Sequence, residues 1–240
     1  MSPTPSAYRR WPPRLSLPRL PLPGLCHACG QWAWQALCPV CESLGDISTA
    51  SHCLGCALPS SLSICAACAT QAPPWANCVA AKFYISPWKD LVSNFKFESQ
   101  AGLAYFLGQQ MRHKPAIAQL VQACDYLVPV PLSAQRLRQR GFNQALLLAQ
   151  QLCKQRCLAQ GLIRWRDTAA QSGLSRQERL RNLAQAFMVP PQSAQRLRGK
   201  RVVVVDDVMT TGATLRACTL ALLSAGVLKV DVVVLARTPA

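Results

Sequence analysis

Acidic residues are scarce in this chain. Ten Asp and Glu stand against 26 Lys and Arg among 240 residues, which gives a formal charge of +16 at pH 7. This excess favours anionic partners, and nucleic acids and phosphorylated metabolites come before membranes because no basic amphipathic helix stands out. Two of the ten acids, Asp206 and Asp207, are adjacent, so their position needs an explanation.

Long apolar runs are also missing. No stretch of eighteen or more apolar residues occurs, which excludes a membrane-spanning helix. Prolines interrupt the first 23 residues wherever a signal peptide would need its apolar segment. We therefore expect residues 1–23 to be a Pro-rich, basic, disordered tail, and the protein to be cytoplasmic. An apolar content of 50% predicts a globular protein.

Thirteen cysteines are present, and eight of them follow a metal-binding spacing rather than a disulfide pattern. The pattern C-x2-C-x8-C-x2-C occurs twice with a period of 27 residues, at Cys26, Cys29, Cys38 and Cys41 and at Cys53, Cys56, Cys65 and Cys68. Such quartets predict about two tetrahedral structural zinc sites, formed by consecutive quartets or by crossed CxxC pairs. His27 and His52 are read as bystanders, and the other five cysteines as buried free thiols.

The rest of the chain alternates between apolar strands and helical segments. Strands are expected at 78–85, 125–132, 161–165, 201–207 and 230–237, and helices at 88–112, 141–157 and 212–226. This alternation predicts an α/β fold, a parallel sheet with helices on both faces. We place a double zinc ribbon at 24–76 and the α/β domain at 77–240. The hexapeptide SAQRLR, at 133–138 and 193–198, is read as a coincidence in two basic loops.

Asp206 and Asp207 follow four valines at the end of a predicted strand, and the sequence Val-Met-Thr-Thr-Gly-Ala-Thr comes next. Ligands of parallel sheets collect at this end of the strands, and the N–H groups at the start of the next helix attract anions. A ribose 5-phosphate fits both features, with its hydroxyls on the carboxylates and its phosphate on the loop. Two alternatives are a strand end followed by a Thr-capped helix, and an acidic pair that binds Mg2+.

Positive charge is concentrated between residues 131 and 201. This stretch contains fourteen Lys and Arg and two acidic residues, which gives a local net charge of +12. A phosphate-contacting surface is our interpretation, because the Arg guanidinium matches phosphate oxygens, and a solvated helix surface is the alternative.

The chain resembles the ComF/GntX family of competence and DNA-utilisation proteins, a branch of the type I phosphoribosyltransferase superfamily. The resemblance rests on the doubled cysteine quartet, on residues 129–145 and 171–187, and on the complete 5-phosphoribosyl-1-pyrophosphate (PRPP) signature at 202–214. It implies that Asp206 and Asp207 hold ribose, and that the loop of Val130, Pro131, Leu132 and Ser133 faces pyrophosphate. It also implies a mobile loop at Arg176, Arg179 and Arg181. The 5-phosphate would be bound by Thr210, Thr211, Gly212, Ala213 and Thr214.

Two classes of function follow. One is an adaptor in DNA uptake or DNA utilisation that has a PRPP pocket and binds single-stranded DNA. Its basic stretch would contact the phosphates, and Trp32, Trp34 and Trp75 would stack on bases. Uptake or recombination proteins would be further partners. The other is a phosphoribosyltransferase of nucleotide salvage that uses Mg2+-bound PRPP. No residue is identified as its general base, and His113 is read as a solvated surface histidine.

Overall fold

A computed structural model describes residues 23–47, 52–97, 100–165 and 186–239. The predicted tail, except for Pro23, and the predicted mobile loop at Arg176, Arg179 and Arg181 lie outside the described residues. Within these ranges, no helix has both the length and the apolar character that a bilayer crossing needs.

The strands and helices follow the alternation expected for an α/β fold. The strands are β1 (Gly24–Leu25), β2 (Trp32–Ala33), β3 (Cys78–Phe83), β4 (Tyr126–Pro129), β5 (Ile163–Arg164), β6 (Phe187–Met188), β7 (Arg201–Met209) and β8 (Lys229–Arg237). The helices are α1 (Pro39–Ser43), α2 (Ala66–Thr70), α3 (Trp88–Phe97), α4 (Leu103–Arg112), α5 (Pro115–Ala123), α6 (Ala134–Arg140), α7 (Gln144–Cys153), α8 (Pro191–Leu197) and α9 (Ala213–Ser224), with a 3-10 turn at Lys154–Arg156.

In the described part of the chain, the central sheet has four parallel strands in the order β3-β8-β7-β4. Side chains alternate along β7, so Val203 and Val205 pack into one apolar core while Val202 and Val204 pack into the other. Helices α3, α4, α5 and α7 contribute to the first core, and α8 and α9 to the second. The predicted parallel sheet with helices on both faces is confirmed.

The carboxyl ends of β4 and β7 meet at one edge of this sheet. Pro129 is in register with Val205, and the Val130 N–H donates to the Val205 carbonyl at 2.9 Å. The loop after β4 therefore begins beside Asp206. This register brings together two segments that are more than 70 residues apart in the chain.

Local predictions were less accurate than the architecture. The helical stretch expected over 88–112, with Gly102 and Gly108 as its weak points, is two helices, and Gly102 occupies the N-cap position of the second one, whereas Gly108 lies inside it. The helix expected from residue 141 begins at Gln144, because the Asn143 side chain accepts the Leu146 N–H and caps it there.

Both copies of SAQRLR were expected in loops, and this was wrong because both contribute to helices. Ser133 caps α6 by accepting the Arg136 N–H at 3.3 Å, whereas the second copy forms the last five residues of α8, which starts at Pro191, and its C-cap Arg198. The equivalent leucines differ as well, since Leu137 is exposed and Leu197 is fully buried.

Candidate functional site

The eight cysteines of the double motif form two separate clusters. Cys26, Cys29, Cys38 and Cys41 make one, and Cys53, Cys56, Cys65 and Cys68 make the other, with the sulfur atoms of each cluster within 4.8 Å of one another. The pairing is therefore consecutive, not crossed. We call the clusters the first and the second quartet.

The sulfur geometry of both quartets fits a tetrahedral metal. With metal–sulfur bonds of about 2.3 Å, as for zinc, tetrahedral sulfurs lie about 3.8 Å apart. The Sγ atoms of Cys29 and Cys38 are 3.8 Å apart, and those of Cys56 and Cys65 are also 3.8 Å apart. Each quartet could hold one metal ion.

Backbone N–H groups support the sulfurs. Cys38 N donates to Cys26 Sγ at 3.3 Å, and the N–H groups of Gly55 and Cys65 donate to Cys53 Sγ at 3.3 and 3.2 Å. Burial raises the pKa of both thiols, but such N–H bonds outweigh it and lower the pKa of Cys26 to about 6 and that of Cys53 to about 7. Thiolates stabilised in this way are the form that binds a metal.

The remaining cysteines and the histidines beside the quartets take no part in them. Among the described residues, neither His27 nor His52 belongs to a metal-sized cluster. Cys78, Cys124 and Cys218 are buried, as expected, whereas Cys153 and Cys157 are half-buried.

A polar cavity of about 180 Å³ lies at the carboxyl ends of β4 and β7. It brings together Asp206 and Asp207 from β7, Val130, Pro131 and Leu132 from the loop after β4, and Thr214 from the first turn of α9. Six of the eleven residues predicted for the PRPP site thus share one cavity. We call it the β7 pocket.

The carboxylate pair carries opposing influences. Burial, followed by the charge of Asp207, raises the pKa of Asp206 to about 8, although the Asp207 N–H donates to Asp206 Oδ1 at 2.9 Å. Asp207 is buried and pairs with Lys96, whose Nζ lies 3.2 Å from Asp207 Oδ2. The charge of Asp207 is therefore balanced by an ion pair, whereas Asp206 tends to keep its proton.

Sequence reasoning assigned Arg136, Arg140 and Arg164 to a phosphate-contacting stretch but did not place them around this pair, and it missed Lys96. Among the described residues, four basic side chains line the β7 pocket: Lys96, Arg136, Arg140 and Arg164. Arg136 and Arg140 lie on α6, the helix that was expected to be a loop, so its basic residues could not be placed from the sequence. The pocket holds four cations against two carboxylates, an excess that suits an anionic ligand.

The loop between β7 and α9 has the shape of an anion cradle. Gly212 adopts φ +77°, a left-handed backbone conformation that strains any residue with a side chain, and this favours glycine at the turn. Gly212 provides no side-chain cap for α9; the Ala213 N–H donates to Thr211 Oγ1 at 3.4 Å, and the N–H groups after it in the first turn face the position where an anion would bind. Thr210, Thr211, Gly212 and Ala213 form this loop but do not line the β7 pocket itself, and Ser133 is occupied in capping α6.

Arg237 binds the backbone of this loop, and no sequence signal indicated this role. Arg237 is buried at the end of β8 and donates to the carbonyls of Met209 at 2.9 Å, Thr238 at 3.0 Å, and Thr210. Its Nε donates to the Cys56 carbonyl at 2.8 Å. One guanidinium therefore connects the loop to the second quartet.

The three tryptophans expected to stack on DNA differ in exposure. Trp32 and Trp34 are 75% and 68% exposed, whereas Trp75 is 6% exposed and donates from Nε1 to the Gly55 carbonyl at 2.8 Å. The stacking role expected of Trp75 was wrong, because its ring packs beneath Gly212.

Comparison with known proteins defines the class first. Residues 140–240 match the model of the phosphoribosyl transferase domain, in agreement with the parallel sheet and with the strand that ends in Asp206 and Asp207.

Relatives then define the family. The chain is 34% identical to the DNA utilization protein YhgH of Escherichia coli K12 over 233 residues, which cover 91% of this chain and 99% of that protein. It is 35% identical to competence protein F of Haemophilus influenzae, over 85% of this chain and 92% of that protein. A 100-residue match to competence protein ComFC of Bacillus subtilis, 41% identical, covers 42% of this chain and 39% of that protein. The chain therefore belongs to the family of competence and DNA-utilisation proteins, as its motifs predicted.

Proposed function

We propose that this protein acts in the cytoplasm in DNA uptake or DNA utilisation, that its β7 pocket binds a 5-phosphorylated ribose with PRPP as the foremost ligand, and that its basic surface binds single-stranded DNA. Each quartet holds one structural zinc ion, and Mg2+ enters with the diphosphate of PRPP. Proteins of uptake or recombination are its expected partners.

One observation carries the ribose-phosphate assignment: paired carboxylates, a cation cluster and an anion cradle meet at one edge of the sheet. Asp206 and Asp207 offer acceptors for two vicinal hydroxyls, and Lys96 and Arg140 surround the pair with positive charge. The Gly212 turn offers N–H groups to a phosphate. The loop at Val130–Leu132 closes the opposite side, where the pyrophosphate of PRPP would lie.

Zinc is the metal we assign to the quartets because four cysteine sulfurs in a closed tetrahedron are its usual structural environment. The quartet residues Cys26, Cys38 and Cys41 pack into the same core as α3 and α4. The quartets therefore contribute to the framework, and we assign the zinc ions no chemistry.

Calorimetry with PRPP and with ribose 5-phosphate tests the pocket. We expect binding by the parent, and a fall of roughly tenfold or more in the double variant Asp206→Asn, Asp207→Asn, because each carboxyl group that contacts a ribose hydroxyl becomes an amide with a single acceptor oxygen. Asp90→Asn is the control, since Asp90 is exposed on α3 and does not line the pocket. Equal PRPP affinity in the parent and the double variant would rule out the carboxylates as the ribose site.

Single variants separate ligand binding from folding. Asp207→Asn leaves Lys96 without its partner at 3.2 Å and should lower thermal stability. Asp206→Asn relieves a crowded carboxylate, so stability should hold or rise while ribose binding falls.

DNA binding is supported by exposed cations in the stretch 131–201. Arg136, Arg138, Arg196, Arg198 and Arg201 are exposed, whereas Arg156 is used structurally, since it donates to three carbonyls at the end of α5. Binding of an oligonucleotide should weaken with salt, with a slope of about −0.7 per phosphate neutralised in log K against log[salt]. A flat salt response would contradict this surface.

The complete loop and the cation excess favour a second candidate, an active phosphoribosyltransferase. Arg136 and Arg140 line the pocket and would stabilise the pyrophosphate that leaves from the anomeric carbon. Incubation with Mg-PRPP and a pool of bases, with detection of pyrophosphate, tests it. PRPP binding without pyrophosphate release would favour the adaptor.

A further inference from the structure

A second cavity opens between the first quartet and helix α4. Its volume is about 380 Å³, within the range of small-ligand sites. Trp34, Gln35 and Ala36 form one wall, and Tyr105, Phe106 and Gln109 form the other. None of these residues belongs to the β7 pocket, so the ribose-phosphate site does not account for this cavity. We call it the Trp34 cleft.

The cleft exposes two large aromatic rings to solvent. Trp34 is 68% exposed and Tyr105 is 60% exposed. Tryptophan is highly buried on average, and adjacent exposed aromatic surface marks an interaction site. Phe106 forms a buried part of the wall and stacks in parallel on Trp88, with ring centroids 6.0 Å apart and an interplanar angle of 4°.

The exposure of Trp34 is imposed by the framework around it. Ala33 before it and Leu37 after it are buried in the first core. The His27 N–H donates to the Ala36 carbonyl at 2.9 Å, and Cys38 of the first quartet follows immediately. A segment anchored in this way cannot turn Trp34 into the core, so its ring is held facing solvent.

The polar groups of the cleft suit a flat, neutral, hydrogen-bonding ligand. Gln35 and Gln109 each offer a carboxamide, which donates and accepts and so matches the edge of a nucleobase. Among the described residues, none of those that line the cleft is charged. Arg112 is exposed and follows Gln109 by three positions and Tyr105 by seven, which places all three on one face of α4.

We propose that the Trp34 cleft binds an unpaired nucleobase of a single-stranded nucleic acid. The base stacks on Trp34 and Tyr105, the carboxamides of Gln35 and Gln109 contact its edge, and Arg112 contacts the neighbouring phosphate. This inference rests on the proposed DNA binding, and it narrows the stacking expected of the exposed tryptophans to one cleft, where Tyr105, Gln35, Gln109 and Arg112 are further contacts. The positive charge of the chain and Arg112 beside the cleft favour this occupant over the basic, Pro-rich segment of residues 1–22.

The test compares an oligothymidine with an abasic strand of the same length and charge. The parent should bind the oligothymidine about tenfold more tightly, because only bases can stack. Trp34→Ala and Tyr105→Ala should each reduce this preference severalfold and leave abasic affinity unchanged. Trp34→Phe, which keeps a ring, should retain most of the preference.

Trp32→Ala is the matched control. Trp32 is 75% exposed, two residues from Trp34, and does not line the cleft, so its loss should leave the base preference intact. Equal loss in Trp32→Ala and Trp34→Ala would overturn the cleft assignment.

The remaining outcomes separate this inference from the proposed function. If the parent binds both strands equally, and salt weakens both, phosphate-driven DNA binding stands and the cleft assignment is wrong. If the parent binds neither strand, the DNA part of the proposed function fails first.

A preference for oligouridine of the same size supports the stacking site and extends its ligand to RNA. If a peptide of residues 1–22 binds in a Trp34-dependent way while base preference is absent, the tail is the occupant and the inference is overturned.

Discussion

The two cysteine quartets have the same spacing and the same sulfur geometry, yet they support different surfaces. The residues inside the first quartet, 30–37, include two tryptophans, and this segment packs against α4 to form the Trp34 cleft. The residues inside the second quartet, 57–64, include none, and this quartet reaches the loop of the β7 pocket through Arg237. The spacing therefore determines metal geometry, while the residues around it determine what each quartet supports.

The contact between the second quartet and the β7 pocket is made by more than one group. Arg237 joins the Cys56 carbonyl to those of Met209 and Thr210, and Trp75 joins the Gly55 carbonyl to the underside of Gly212. Both links involve residues of the first CxxC pair of that quartet. A change in the second quartet should therefore disturb phosphate binding, whereas a change in the first should disturb the cleft.

Loss of metal should have the largest effect. Because there are two quartets, we expect two Zn2+ per chain in the parent and one in Cys26→Ser or Cys53→Ser. Structural zinc binding contributes about 10–16 kcal/mol to the folding free energy of small zinc domains, so the loss of one ion should be costly. Both variants should unfold at lower temperature, and Cys53→Ser should also lose PRPP binding. Metal analysis and thermal melts check this. A parent without zinc, with its thiols paired as disulfides, would remove the assignment.

Replacing Arg237 should have the next largest effect. Arg237→Met removes the guanidinium donor from the carbonyls of Cys56, Met209 and Thr210, of which Met209 still accepts the Thr238 N–H, at a cost of about 3 kcal/mol in the free energy of unfolding. The loop loses its support, so PRPP affinity should fall about tenfold.

Arg156→Met provides the comparison, since Arg156 donates to three backbone carbonyls at the end of α5, whereas Arg237 donates to four, two of them in the loop between β7 and α9 or at the end of β7. It should lower stability and leave PRPP affinity unchanged. If both variants weaken PRPP binding equally, the effect is one of general stability and not of loop support.

The architecture could be predicted because it follows from strong local patterns. Four consecutive valines before Asp206 specify a strand buried on both faces, and the doubled quartet specifies two metal-sized clusters. The acid pair and the Thr-Gly-Ala-Thr run were recognisable because they are contiguous in the chain.

What was missed depends on contacts between distant segments. Lys96 on α3 reaches Asp207 on β7, and Arg237 on β8 reaches both the loop and Cys56, pairings that no local period encodes. The helix α6 was missed because SAQRLR lacks an apolar face, and its stop at Gly141, with φ +76°, becomes clear only in the structure. Trp75 was placed on the surface because proline-rich surroundings gave no sign that Gly55 would bind its indole.

The dependence of stability on pH should be the smallest effect. Because the pKa of Asp206 is raised to about 8 in the folded protein, the folded state keeps a proton that the unfolded chain releases near pH 4. This group therefore lowers the free energy of unfolding progressively as pH rises from about 4 to 8. Asp206→Asn should flatten that decline and Asp90→Asn should not, as measured by urea unfolding across this range. An unchanged slope in Asp206→Asn would show that this carboxyl does not retain its proton.

The most direct test of the division between the quartets is to measure both ligands on both variants. PRPP affinity and the preference for oligothymidine over an abasic strand are determined for Arg237→Met and Trp34→Ala under one set of conditions. We expect Arg237→Met to weaken PRPP binding about tenfold while keeping the base preference, and Trp34→Ala to reduce the base preference severalfold while keeping PRPP affinity. If each variant impairs both ligands to the same degree, the two quartets do not support separate surfaces and the account is contradicted.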